Sequence, residues 1–97
     1  MYNSDMANIE KLLRDYLDYL EIEKNRSLRT RENYGRYLAA FFALAKIKSE
    51  KDITADSVKD FRLAIAREKN LKKVTQSYYI IALRNFLKYL IKKDYEV

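Results

Sequence analysis

No proline interrupts this chain, and one glycine, Gly35, is all it has. Tight turns between strands lean on those two residues for left-handed or fixed backbone angles, so a chain nearly without them has little to build hairpins from. With 48% apolar residues, it favours a compact helical chain over disorder or a β-sandwich. Its 97 residues can bury one modest core, so residues 1–97 are expected to form a single domain.

The stretch from Leu71 to Lys93, LKKVTQSYYIIALRNFLKYLIKK, shows the helical period most clearly. At 100° per residue, Tyr79, Ala82, Leu83, Phe86, Leu87 and Leu90 share one broad face, and Ser77, Ile81, Arg84 and Lys88 line up opposite. One side is therefore core, and the other is free to meet a partner. Thr75 is the expected N-cap of this helix, which would enter at Val74-Thr75 and leave Lys72 and Lys73 just outside. Cations gain nothing from the positive pole of a helix dipole, so an external polyanion would explain the two lysines, as would an ordinary solvated loop.

Three further amphipathic segments precede it. Ile9 to Lys24 carries Ile9, Leu12, Leu13, Tyr16, Leu17, Tyr19 and Leu20 as a packing stripe, with Ser4 or Asp5 as its cap and Lys11, Arg14, Asp15, Asp18 and Glu21 on the other side. Asn25 to Arg31 breaks the pattern and offers Ser27 and Thr30 as caps for the next helix. That helix runs to about Ala45, with Tyr34, Tyr37, Leu38, Phe41 and Leu44 inward and Gly35, Ala39 and Ala43 outward. Lys46 to Asp52 reads as a loop, and Thr54 caps a third helix with Val58, Phe61 and Ile65 inward. It is expected to end near Asn70 in the left-handed conformation. Most of the nine Tyr and four Phe fall on inward stripes, Tyr78 being the main exception.

Charge is unevenly spread. Residues 1–24 hold six acids and three bases, whereas residues 25–97 hold 17 bases and eight acids. The first helix is accordingly read as a scaffold away from any polyanion, and the basic later segments as the surface that meets one. Between positions 24 and 36, Lys24, Arg26, Arg29, Arg31 and Arg36 face a single acid, Glu32, around a helix start whose N–H groups add to an anion site. The chain has neither Cys nor His. Thiol and imidazole catalysis and most transition-metal sites are thereby excluded, so no metal or cofactor is expected and an enzyme built from this domain alone is disfavoured. No signal peptide or membrane span is apparent, which predicts a cytoplasmic protein that does not engage a membrane.

Taken in order, Ser27-x-x-Thr30-x-x-x-Tyr34, Ile53-Thr54, Phe61, Thr75 and Ala82-Leu83-Arg84-x-Phe86-x-x-Tyr89-Leu90 resemble the N-terminal core-binding, or SAM-like, domain of Xer-type tyrosine recombinases and phage integrases. The similarity runs from about Ile9 to the C-terminus. It implies an all-α, four-helix, orthogonal-type bundle forming half of a C-shaped clamp around double-stranded DNA, opposite a separate catalytic domain that this chain lacks. Recombinase protomers in a synaptic complex would be further partners of the full-length protein. The family places its second and fourth helices against DNA, which nominates Arg26, Ser27, Arg29, Thr30, Arg31 and Arg36 on one side and Lys72, Lys73, Thr75, Gln76, Ser77, Tyr78, Arg84 and Lys88 on the other. On chemical grounds Gln76, Ser77, Tyr78 and Arg84 suit base edges, and Arg26, Arg29 and Arg31 suit phosphates. Family catalysis uses Arg, Lys, His and a Tyr nucleophile in the C-terminal domain, so no residue here inherits a catalytic role. A stand-alone helical protein-interaction module is the alternative, resting on the aromatic-rich bundle and the small Gly35, Ala39, Ala43 stripe.

Overall fold

The computed structural model describes residues 8–93. They form α1 (Ile9–Ile22), α2 (Leu28–Ala45), α3 (Ala55–Ala66) and α4 (Lys73–Lys92), with one 3₁₀ turn, Glu50–Asp52, between α2 and α3. No strand occurs among the described residues, and a single antiparallel bridge joins Asn8 to Ser49. That bridge, with the Ile9 N–H donating to the Lys48 carbonyl at 3.0 Å, ties the start of α1 to the α2–α3 connection.

Side chains written into the sequence start three of the helices. Asn8 caps α1, its Oδ1 accepting from the Glu10 N–H at 2.7 Å; the expected caps Ser4 and Asp5 lie outside the described residues. Ser27 caps α2 by accepting from the Thr30 N–H at 3.1 Å. Thr54 caps α3 as expected: its hydroxyl accepts from the Ser57 N–H at 3.0 Å, and the Ser57 hydroxyl accepts from the Thr54 N–H at 2.9 Å. Two orphan donors are satisfied reciprocally by that box, which typically contributes about 1 kcal/mol.

The start of α4 differs from expectation. Lys72 is the N-cap with no side-chain bond to the helix, and Thr75 lies inside the first turn, half-buried, rather than capping it. Gln76 supplies the reason: its Nε2 donates back to the carbonyls of Glu68 at 3.2 Å and Leu71 at 3.4 Å. This holds the α3–α4 turn against the helix and lets helical hydrogen bonding begin with the Lys72 carbonyl, which accepts from the Gln76 N–H at 2.9 Å. Lys72 and Lys73 are thus within the positive end of the dipole, not outside it.

The end of α3 shifts as well. α3 stops at Ala66 rather than near Asn70, whose N–H is taken up by the Glu68 carboxylate at 3.1 Å. The left-handed residues are instead Asn25, with φ 54°, and Lys46, with φ 57°. Lys46 ends α2, its N–H donating to the Phe42 carbonyl.

One core unites all four helices: Leu12, Tyr16 and Leu20 from α1, Leu38 and Phe41 from α2, Phe61 and Ile65 from α3, and Ala82, Leu83, Phe86 and Leu90 from α4. Ile47 and Ile53 close it from the connection between α2 and α3. Phe86 stands at its centre, edge-on to Tyr16 at 5.3 Å and to Phe42 at 5.7 Å. Tyr89, absent from the expected inner stripe of α4, is also buried and packs 5.0 Å from Tyr16 and 4.9 Å from Tyr19. Leu44, expected inward, is 49% exposed, because α2 turns Phe42 and Ala45 to the core in its place. Gly35 does not face outward either. A Cβ there would come within 3.3 Å of Leu17 Cδ1, so the glycine lets α1 approach α2, while Ala39 and Ala43 remain exposed.

Candidate nucleic-acid interface

At the start of α2 the capping residues are occupied with each other. Ser27 donates its hydroxyl to Thr30 Oγ1 at 3.2 Å in addition to accepting from the Thr30 N–H. The loop before it is pinned by the Arg26 N–H donating to the Leu20 carbonyl at 2.9 Å, which fixes the Arg26 backbone while its side chain stays exposed. Arg29 is exposed too. Arg31 is not free in the same way: its Nη1 donates to Asp18 at 2.6 Å and to Glu21 at 3.2 Å. The hydrogen bond to Asp18, reinforced by both carboxylate charges, raises the guanidinium pKa further, so Arg31 braces α1 against α2 with its charge already matched. Arg36 is held by Asn33 Oδ1 at 3.1 Å and lies over the Tyr37 ring at 5.5 Å.

The outward face of α4 continues that surface. Ser77 donates its hydroxyl back to the Lys73 carbonyl at 3.2 Å, a local bond that leaves its oxygen able to accept. Tyr78 is 48% exposed and lies nearly parallel to Tyr37, 6.4 Å away. Lys72, Lys73, Ile81, Arg84 and Lys88 are exposed along the same helix. Gln76 is half-buried, with its amide turned to the α3–α4 turn while its side chain still lines a groove beside Lys73 and Arg84, and Thr75 is half-buried.

Two open grooves join these segments. One, of about 430 Å³, runs between Arg26 and Thr30 on α2's side and Tyr78 and Ile81 on α4's side. The next, of about 520 Å³, is lined by Lys73, Ser77 and Arg84 of α4 together with Arg62 of α3, and neither contains an acid. Arg62 is a residue that the sequence reading missed. Its signal was present, since it follows Phe61 on α3 and therefore points away from the core stripe, but no pattern tied α3 to this surface. A continuous basic strip with a hydroxyl and an aromatic edge suits phosphate oxygens and a groove wall.

No group of three or more His, Cys, Asp or Glu residues among the described residues could hold a metal ion, and none of their helices is long and apolar enough to cross a membrane.

Known proteins match this sequence over nearly its whole length. The profile of the family described as phage integrase, N-terminal SAM-like domain, covers residues 13–94. The tyrosine recombinase XerC of Bacillus licheniformis is 37% identical over 91 residues, which is 91% of this chain and 30% of that protein. XerC of Bacillus pumilus is 31% identical over 92% of the chain, and XerC of Bacillus subtilis 31% identical over 91%, again spanning 30% of each relative. No solved structure matches at the same stringency. With four helices around one core, the Ser27 cap and the Ala82-Leu83-Arg84 segment all lying inside the matched span, the chain belongs to the N-terminal SAM-like domain family of phage integrases and Xer-type tyrosine recombinases.

Proposed function

We propose that this chain is a DNA-binding module of a site-specific tyrosine recombinase, gripping the recombination site as one half of a clamp. The observation that carries this is the acid-free strip in which the start of α2 and the outward face of α4 lie side by side, with Arg26, Lys73 and Arg84 lining its grooves. In the longer recombinase the opposite half would be a catalytic domain that cuts and rejoins strands through a phosphotyrosyl intermediate. The chain spans about 30% of the length of its curated relatives. Exposed Lys and Arg here position the duplex, and Ser77, Tyr78 and Arg84 are the side chains best placed to sample base edges.

A titration of the 97-residue chain with duplex DNA tests this. Half a clamp keeps phosphate contacts but loses enclosed area, so affinity should be in the non-specific range, about 10⁻⁴ to 10⁻⁶ M, and should fall steeply with salt. Binding that is absent at low salt, or indifferent to salt, defeats the proposal.

A protein-contacting surface has a separate basis. The small-residue stripe offered for it is broken, because Gly35 is filled by Leu17. Between α3 and α4, however, an apolar groove of about 700 Å³ is lined by Val58, Leu63, Leu87 and Ile91, with Leu63 and Ile91 exposed. It lies on a different part of α4 from the basic strip and suits contact with another protein surface.

A further inference from the structure

Where the end of α1, the turn at 23–27 and the second half of α4 meet, they enclose a cavity of about 340 Å³. Lys24, Arg26, Lys88 and Lys92 line it, and no acid does. Like charges gathered around one small space repel one another, and an anion among them offsets that repulsion. The acids that α1 could have offered, Asp18 and Glu21, are engaged with Arg31 instead. Tyr19 contacts two of the cations: Lys24 Nζ lies 5.9 Å and Lys92 Nζ 5.4 Å from its ring centre, and Lys92 also donates to its hydroxyl at 3.4 Å.

The cavity also has hydroxyl donors in want of an acceptor. Tyr34 accepts from Asn85 Nδ2 at 3.3 Å, and its own O–H has no acceptor among the described residues. Tyr16 is 1% exposed, lines the cavity, and its hydroxyl has no hydrogen-bond partner among the described residues. Buried hydroxyls are rarely left so, and burial pushes the Tyr16 pKa well above its ordinary value, so the group stays a protonated donor.

We propose that this cavity is a binding site for a single phosphate group, with Lys24, Arg26, Lys88 and Lys92 supplying the positive field and the Tyr16 and Tyr34 hydroxyls donating to its oxygens. As the anchor of one backbone phosphate of a gripped duplex, it rests on the DNA-binding proposal above. As a phosphate site, it does not. A charged acceptor fits better than water, because water would satisfy the hydroxyls without offsetting any of the positive charge gathered there.

Two titrations decide it. In amide-resolved NMR, inorganic phosphate, compared with chloride at equal ionic strength, should give saturable shifts concentrated at residues 24–30 and 85–92. Phosphate should also raise Tm, by less in Tyr16→Phe and least in Lys88→Gln/Lys92→Gln. Tyr16→Phe is expected to fold, since it deletes a hydroxyl that has no partner among the described residues. Shifts that do not saturate, or that spread equally over Lys59, Lys72 and Lys73, would mean simple screening and overturn the site.

With duplex DNA, Lys88→Gln, Lys92→Gln and the double variant should each flatten the dependence of log K on log salt by no more than about one unit, because they grip the same phosphate. Flattening by about two units in the double would overturn the single-phosphate arrangement. Wild-type slopes in all three, alongside saturable phosphate shifts, would assign the site to a free phosphate monoester. Loss of duplex binding by the wild type, with the phosphate shifts intact, would refute the DNA-binding proposal and leave the site standing.

Discussion

Phe86 has no exposed surface and meets rings from both α1 and α2, so its removal empties the place where three helices converge. Phe86→Ala should cost about 3–5 kcal/mol in denaturant unfolding, from lost transfer energy and the cavity left behind; a loss under about 1 kcal/mol would remove Phe86 from the core. Tyr16 adds a pH dependence to the same cluster. Its folded-state pKa is raised by burial first and by Tyr34 and Tyr19 second, from an ordinary value of 10.0. Above that value the unfolded chain loses this proton while the folded one keeps it, so the stabilisation is complete below pH 10 and is lost as pH rises beyond it. Tyr16→Phe should therefore lose less stability than wild type on going from pH 9 to pH 11, as read from urea midpoints. Equal losses in the two proteins would show that Tyr16 ionises as readily folded as unfolded. Gln76 carries a third residue-level expectation. Because its amide holds the Glu68 and Leu71 carbonyls, Gln76→Ala should cost about 0.5–1.5 kcal/mol of stability and weaken binding to different DNA sequences equally, whereas a residue reading a base edge would discriminate among them.

At the scale of the element, α2 and α4 matter for different reasons. α2 depends on Ser27 for its start, so Ser27→Ala should lower stability by about 1 kcal/mol and loosen the positioning of Arg26 and Arg29. An unchanged Tm in that variant would show that the cap contributes nothing. What was legible in the sequence follows from this. The caps Ser27 and Thr54, the inward stripes of α1 and α3, and the Phe86 face of α4 are local patterns of spacing and hydroxyl chemistry, and each formed as expected. The residues that departed answer to neighbours outside their own helix. Gly35 faces Leu17 across α1, and Leu44 gives way to Phe42, which reaches Phe86. Arg31 is claimed by Asp18 and Glu21, and Gln76 reaches back to the preceding turn. A helical projection carries no information about those partners, so it could place charges on a face without telling which were already matched.

For the whole molecule, the charge is less important than where the fold puts it. The acids of α1 are spent partly on Arg31 and on Lys11, which pairs with Asp15 at 2.9 Å, while the grooves between α2, α3 and α4 are left without acids. Net charge alone would attract a polyanion to any side of the molecule, weakly and without orientation. Two double variants separate these possibilities, since each removes two positive charges: Arg26→Ala/Arg84→Ala within the strip, and Arg14→Ala/Lys51→Ala, both exposed and outside its grooves. The slope of log K against log salt for duplex DNA should flatten by about two units in the first and remain near wild type in the second. Equal flattening in both would contradict the assignment of DNA binding to the α2–α4 surface.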